Sequence, residues 1–115
     1  MTQIAPVLLV TALLATPGFT QTAGSGSVGA LPCAGEANAL ISSCQFEAVH
    51  HEDSKTTLRV LLPSGSVRYI YFVAGKATST DSTRPLASSI VNGTIFVLIG
   101  EAERFEIPET VITGG

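Results

Sequence analysis

From Phe46 onward, apolar and polar residues alternate with a period of two, the spacing of a strand with one buried face. Short runs follow one another: Phe46 to His51, Thr56 to Leu62, Val67 to Val73, an irregular Lys76 to Ser82, Leu86 to Val91, Thr94 to Ile99, and Arg104 to Ile107. Turn formers separate them. Glu52-Asp53-Ser54-Lys55 is polar throughout, Ala74-Gly75 and Gly100 to Glu103 turn the chain again, and Pro108 stops the last run. Two junctions say more. Pro63-Ser64-Gly65 has the chemistry of a three-residue hairpin loop: Pro presets φ, Ser bonds back to the backbone and Gly takes the left-handed position. Asn92-Gly93 is the dipeptide favoured by two-residue hairpin turns. The pattern predicts a mainly β chain, an antiparallel meander forming a small barrel or sandwich.

Register then assigns faces. A three-residue loop at Pro63-Ser64-Gly65 pairs Leu62 with Ser66, Val60 with Arg68 and Leu58 with Ile70. Leu58, Val60, Leu62, Ile70 and Phe72 share the core face. Arg59, Leu61, Val67, Tyr69 and Tyr71 share the other, with Arg59 opposite Tyr69. A two-residue turn would shift the register by one and bury the tyrosines. In the second hairpin Ile90, Ile95, Val97 and Ile99 fall on one face, Phe96 and Leu98 on the other. Apolar residues on both faces imply a closed barrel, a covering helix or an exposed patch.

The N-terminal third reads differently. Ile4 to Ala15 is an uncharged apolar run interrupted by Pro6 and Thr11. It is too short for a membrane span, which takes about 20 residues, and suits the core of a signal peptide. Its flank departs from the usual pattern, because Met1-Thr2-Gln3 carries no Lys or Arg. Cleavage is expected between Thr16 and Ser25. Thr20 to Gly29 is rich in Gly, Ser and Thr and reads as a flexible leader. Residues 1–24 are thus expected to be signal peptide and leader, and residues 31–115 a single small β domain in the periplasm or outside the cell.

Cys33 and Cys44 are the two cysteines. An even count behind an export signal reads as a disulfide. Metal ligation would want two further ligands nearby, and a redox pair is normally spaced more closely. Between them Ala37, Leu40, Ile41 and Cys44 fall at i, i+3, i+4 and i+7, which predicts one short N-terminal helix held by the bridge.

Composition narrows the function. The chain is 45% hydrophobic and 13% charged, with a net charge of −3. Its six cations are scattered, so there is no electrostatic footprint for nucleic acid. His50-His51-Glu52-Asp53 is the one dense group of ligand-type residues. Neighbours on a strand point to opposite faces, so the two histidines do not readily share a metal. Many serines are present without a Gly-x-Ser-x-Gly elbow. Glu101, Glu103, Glu106 and Glu109 invite a paired-carboxylate reading, yet glycosidases place such a pair across a sugar cleft. No catalytic residue, metal ligand or cofactor site is assigned.

Several groups also carry a resemblance. Leu31-Pro32-Cys33 is followed by Cys44 and Phe46, then by Pro63-Ser64-Gly65 with Arg68, Ile70, Phe72, Gly75 and Lys76. The tail has Ile99-Gly100, Arg104-Phe105-Glu106-Ile107-Pro108, Val111-Ile112 and Gly114-Gly115. From Cys33 to its C-terminus the chain resembles a family of small, uncharacterised exported proteins of alphaproteobacteria. The resemblance implies a periplasmic domain and supplies no activity.

The leading functional expectation is a non-catalytic periplasmic binding or inhibitory module. The alternative is a structural or envelope-associated accessory protein, with a small hydrolase ranked third. The partner is unknown, with an envelope protein or a glycan as the candidates, and no transmembrane span is expected in the mature chain. The candidate contact surface is Arg59, Tyr69 and Tyr71, because Tyr and Arg combine large contact area with a polar end.

Overall fold

A computed structural model describes residues 26–114. The signal-peptide and cleavage-site readings lie outside the described residues. Eight antiparallel strands run in the order β5-β4-β3-β2-β1-β8-β7-β6. They are β1 (Gly26–Ala34), β2 (Ser42–His50), β3 (Lys55–Leu61), β4 (Val67–Val73), β5 (Lys76–Thr80), β6 (Leu86–Val91), β7 (Thr94–Ile99) and β8 (Glu103–Pro108). A short helix, α1 (Glu109–Thr113), follows. The sheet curls into a nearly closed barrel in which β5 and β6, the two ends of the strand order, face each other.

The hairpin chemistry sets the register as expected. Gly65 takes φ 97° and the Leu62 N–H donates to the Ser66 carbonyl at 2.8 Å, closing the three-residue loop. Leu58 then pairs with Ile70, Arg59 with Tyr69 and Val60 with Arg68. Asn92 and Gly93 both hold positive φ, 51° and 83°, and Val91 pairs with Thr94 across them. Leu58, Val60, Leu62, Ile70, Phe72, Ile95, Val97, Ile99, Phe105 and Ile107 line the interior and are buried. Ile90 shares the inward register with Ile95 but is exposed, because it borders the slit between β5 and β6.

The helix predicted between the cysteines does not form. Residues 35–41 are an irregular loop between β1 and β2, and Leu40 is 89% exposed. The apolar spacing there is real, but only Cys44 of the four positions is buried. Seven residues make too short a helix to offset nucleation without a buried face. The disulfide forms between two strands instead. Cys33 stands opposite Ser42 and Cys44 opposite Leu31, so the bridge runs diagonally across the β1–β2 ladder. Gly26 to Gly29, read from composition as leader, form the first half of β1 and pair with β2 from Val49 to Phe46. The one helix among the described residues is C-terminal. Pro108 precedes it, Gly114 closes it in the left-handed conformation, and its Ile112 is buried against the barrel end. Thr56 Oγ1 donates to the Ile112 carbonyl at 3.0 Å, and His50 Nε2 lies 3.1 Å from the Val111 carbonyl.

Prolines limit where the barrel closes. Pro32 pairs with Ser43 in an unshifted ladder, yet it has no N–H. Its pair must therefore be a non-hydrogen-bonded one, with its backbone turned towards β8. Extending the β1–β8 register beyond Cys33↔Phe105 and Ala34↔Arg104 would set Glu106 opposite Pro32 and Pro108 opposite Ala30. Each pair that should exchange two hydrogen bonds contains a proline, and the ladder stops at Cys33.

Candidate functional site

The outer faces of β1 to β4 make one continuous surface. Strand alternation sends Arg59, Leu61, Tyr69 and Tyr71 outward, opposite to the buried Leu58, Val60, Ile70 and Phe72. Across the sheet the register sets Val28, Glu47, Arg59 and Tyr69 in a single row. The next row runs Gly26, Val49, Thr57, Tyr71 and Ser79. The two tyrosine rings are nearly parallel, 10° between planes, with centroids 6.5 Å apart. Tyr71 is 37% exposed and Tyr69 half-buried. Beside them Val28, Ala30, Gln45, Glu47, Arg59 and Leu61 border a shallow concavity of about 730 Å³.

The structure thus brings together all three residues assigned from sequence to a contact surface. It adds Val28, Glu47, Gln45 and Leu61. Leu61 was already on the tyrosine face by register. Gln45 and Val28 were hidden because the sequence reading began the strand at Phe46 and placed Val28 in a leader, and Glu47 because its pairing with Arg59 on β3 was not assigned. Chemically, the surface offers two aromatic faces, a guanidinium, a carboxylate and a carboxamide on a rigid backbone. It suits a ligand that stacks and hydrogen-bonds.

Among the other candidate groups, both histidines and Glu103 have structural partners. His51 Nε2 lies 2.9 Å from Thr57 Oγ1, whereas His50 turns to α1. Among the described residues no three His, Cys, Asp or Glu side chains converge as a metal site. Glu103 takes a two-point contact from Arg68, with Nε to Oε1 at 2.6 Å and the second nitrogen to Oε2 at 2.7 Å. Asp81 Oδ1 accepts from the same guanidinium at 2.7 Å and from the Tyr69 N–H at 3.1 Å. Residues 68, 81 and 103 come from three parts of the chain, so no local signal could have revealed the cluster.

The cluster has a pH consequence. Partial burial alone would raise the Asp81 carboxyl, but the hydrogen bonds from Arg68 and the Tyr69 N–H, with the Arg68 charge, hold it below its usual value. A depressed folded-state value means the pairing stabilises the fold above the unfolded value of about 3.8 and is lost as the pH falls through the folded one. Urea midpoints measured from pH 6 down to pH 3 should therefore fall more for the wild type than for Asp81→Asn. Equal slopes would show that the contact does not couple to folding.

Comparison with protein-family models, with curated proteins and with solved structures finds no match. Among the described residues no helix is long and apolar enough to cross a membrane.

Proposed function

We propose that this chain is a non-catalytic, exported binding or inhibitory module that holds its partner on the outer face of β1 to β4. The observation that carries the reading is the near-parallel Tyr69/Tyr71 pair in line with Arg59, raised on a sheet whose other face is fully packed. Such a platform loses little freedom on binding, which favours affinity. Tyr and Arg are also the side chains most enriched among residues that dominate interface energy. The partner is an envelope protein or a glycan, since both present groups that stack on aromatic rings and accept hydrogen bonds. A disulfide between buried cysteines agrees with an oxidising compartment. Three of the acid and base candidates are engaged in holding the fold, which supports a non-catalytic role: Glu103 with Arg68, His50 with Val111 and His51 with Thr57. A second reading, an envelope-associated accessory protein, draws on Phe96 and Leu98, which are exposed on the outer face of β7.

The double variant Tyr69→Ala/Tyr71→Ala tests the contact face. An aromatic pair contributes roughly 0.5–1.5 kcal/mol beyond area burial, so the variant should stay folded by circular dichroism and melt no more than about 10 °C lower. Retention of a partner from periplasmic extract, or of a glycan on an array, should be abolished. Binding unchanged in the folded variant would remove the face from the mechanism. A loss of several kcal/mol would instead show the rings to be structural.

A further inference from the structure

The strand register partitions charge in a way the sequence hides. The row beyond Tyr71 runs His51, Lys55, Val73 and Lys76. The His51 N–H donates to the Lys55 carbonyl at 2.7 Å, Lys55 pairs with Val73, and Val73 with Lys76. Lys55 and Lys76 are exposed and fall on the tyrosine side, because Val73 alternates with the buried Phe72. Lys76 reaches that side through a bulge. Tyr71 pairs with Ser79 but Phe72 with Ala77, so Thr78 is an extra residue and the alternation of β5 inverts after it. A lysine and a bulge also guard an open sheet edge, and β5 is one. Lys55 stands on an interior strand and has no edge to guard. With Arg59, three of the six cations of a chain carrying −3 share this face. Among the described residues Arg68 is the one cation in an ion pair, and it holds Asp81, the carboxylate beside Tyr69. Glu47 stands opposite Arg59, and Glu52 and Asp53 lie beyond the rows in the β2–β3 turn.

We propose that the tyrosine face binds an acidic glycan, a chain of sugars bearing carboxylate or phosphate groups. It lies along β3 and β4, with its rings on Tyr69 and Tyr71 and its acidic groups at Arg59 and at the Lys55–Lys76 pair. The inference rests on the reading of this face as the contact surface and narrows its partner to one class. Arg59 is four residues from Lys55, about 13 Å along the strand at ~3.3 Å per residue. The two rings, 6.5 Å apart, stand on the neighbouring strand within that span. Anchors so far apart suit an oligomer rather than a single sugar. The backbone decides against a peptide. An extended peptide gains main-chain hydrogen bonds by adding a strand to an open edge. Here β2, β3 and β4 each have a paired strand on both sides, so their backbone groups are engaged. A sugar needs no such edge. Its C–H face rests on the negative face of an aromatic ring, and its hydroxyls bond to side chains such as Thr57 and Ser79, which share a row with Tyr71.

The test titrates the folded, disulfide-bonded chain by calorimetry with an oligogalacturonate, a phosphorylated mannose oligomer, an uncharged galactose oligomer of the same length, and hexaglutamate as the acidic peptide. At least one of the two acidic oligosaccharides should bind, and which one does so distinguishes carboxylate from phosphate. The neutral oligomer and hexaglutamate should bind at least ~10-fold more weakly. Each contact between exposed charges changes an equilibrium constant by up to about fivefold, so Lys55→Gln/Lys76→Gln should weaken binding about 10-fold. It should also flatten the salt dependence. Lys55→Arg/Lys76→Arg should retain binding, and both variants should melt as the wild type does because the side chains are exposed. Tyr69→Ala/Tyr71→Ala should weaken binding at least ~30-fold. No binding of either acidic oligosaccharide, equal affinity for the neutral oligomer, preference for hexaglutamate, or wild-type affinity in the Lys→Gln pair would each overturn the glycan assignment. If it falls while the tyrosine variant still loses its partner from extract, the contact face stands and its occupant is a protein. Acidic-sugar binding that survives the loss of both tyrosines would overturn the assignment and the face together.

Discussion

Phe105→Ala should destabilise this protein more than any other single truncation considered. The ring is 1% exposed, sits on the inward face of β8 and lies opposite Val97 on β7 and Cys33 on β1. It therefore packs where the strands of the early and late chain meet. Removing a buried Phe side chain costs about 3–5 kcal/mol, the transfer term plus the cavity left behind. A small domain has about 5–10 kcal/mol in all, so much of the folded population is at stake. The melting temperature should fall by roughly 4–8 °C for each kcal/mol lost. Deleting the chain from Arg104 onward, which removes β8 and α1, should prevent folding altogether. A melting curve left unmoved by either change would contradict the topology.

Cys44→Ser should be the next most damaging change, at about 2–4 kcal/mol, with no direct effect on the tyrosine face. The chain-entropy account assigns about 3 kcal/mol to closing a loop of this length, although the mechanism is disputed. The loss matters here because residues 35–41 bury little apolar surface of their own. Substitution also leaves a hydroxyl where Cys44 was buried, which adds to the cost unless it is hydrogen-bonded. Denaturant titration of the variant, with alkylation of the native wild type to verify that its thiols are blocked, checks the figure. Wild-type protein that alkylates without reduction would remove the premise.

Much of the sheet could be read from the chain because its register depends on short-range chemistry. Asn92-Gly93 and Pro63-Ser64-Gly65 each restrict the backbone within a few residues, and strand alternation carries the consequence to Arg59, Tyr69 and Tyr71. The failures have an equally local origin. Leu40 and Ile41 have helical spacing, but spacing stabilises a helix only when another surface covers the stripe, and none does here. Gly26 to Gly29 have the composition of a linker, yet β2 offers them a partner that composition cannot show. The final helix was invisible because its five residues carry one buried side chain and depend on Thr56 and His50 from distant strands. Val28 joined the contact face only once the β1–β2 pairing was known, and Glu47 only once the β2–β3 pairing was.

The two prolines at the β1–β8 junction have a consequence for how the chain reaches this state. Seven hairpin-related neighbours, β1 with β2 through β7 with β8, are close in sequence, and six of them form paired ladders. Each closes a short loop at small entropic cost. The β1–β8 pairing instead joins the two extremes of the domain, and Pro32 and Pro108 leave it only the pairs at Cys33 and Ala34 as reward. Large closure cost against few hydrogen bonds makes this the slow contact. The hairpins can form and break quickly on either side of it, while the rate at which the whole barrel is completed is set by how well Phe105 finds the bridge-fastened end of β1.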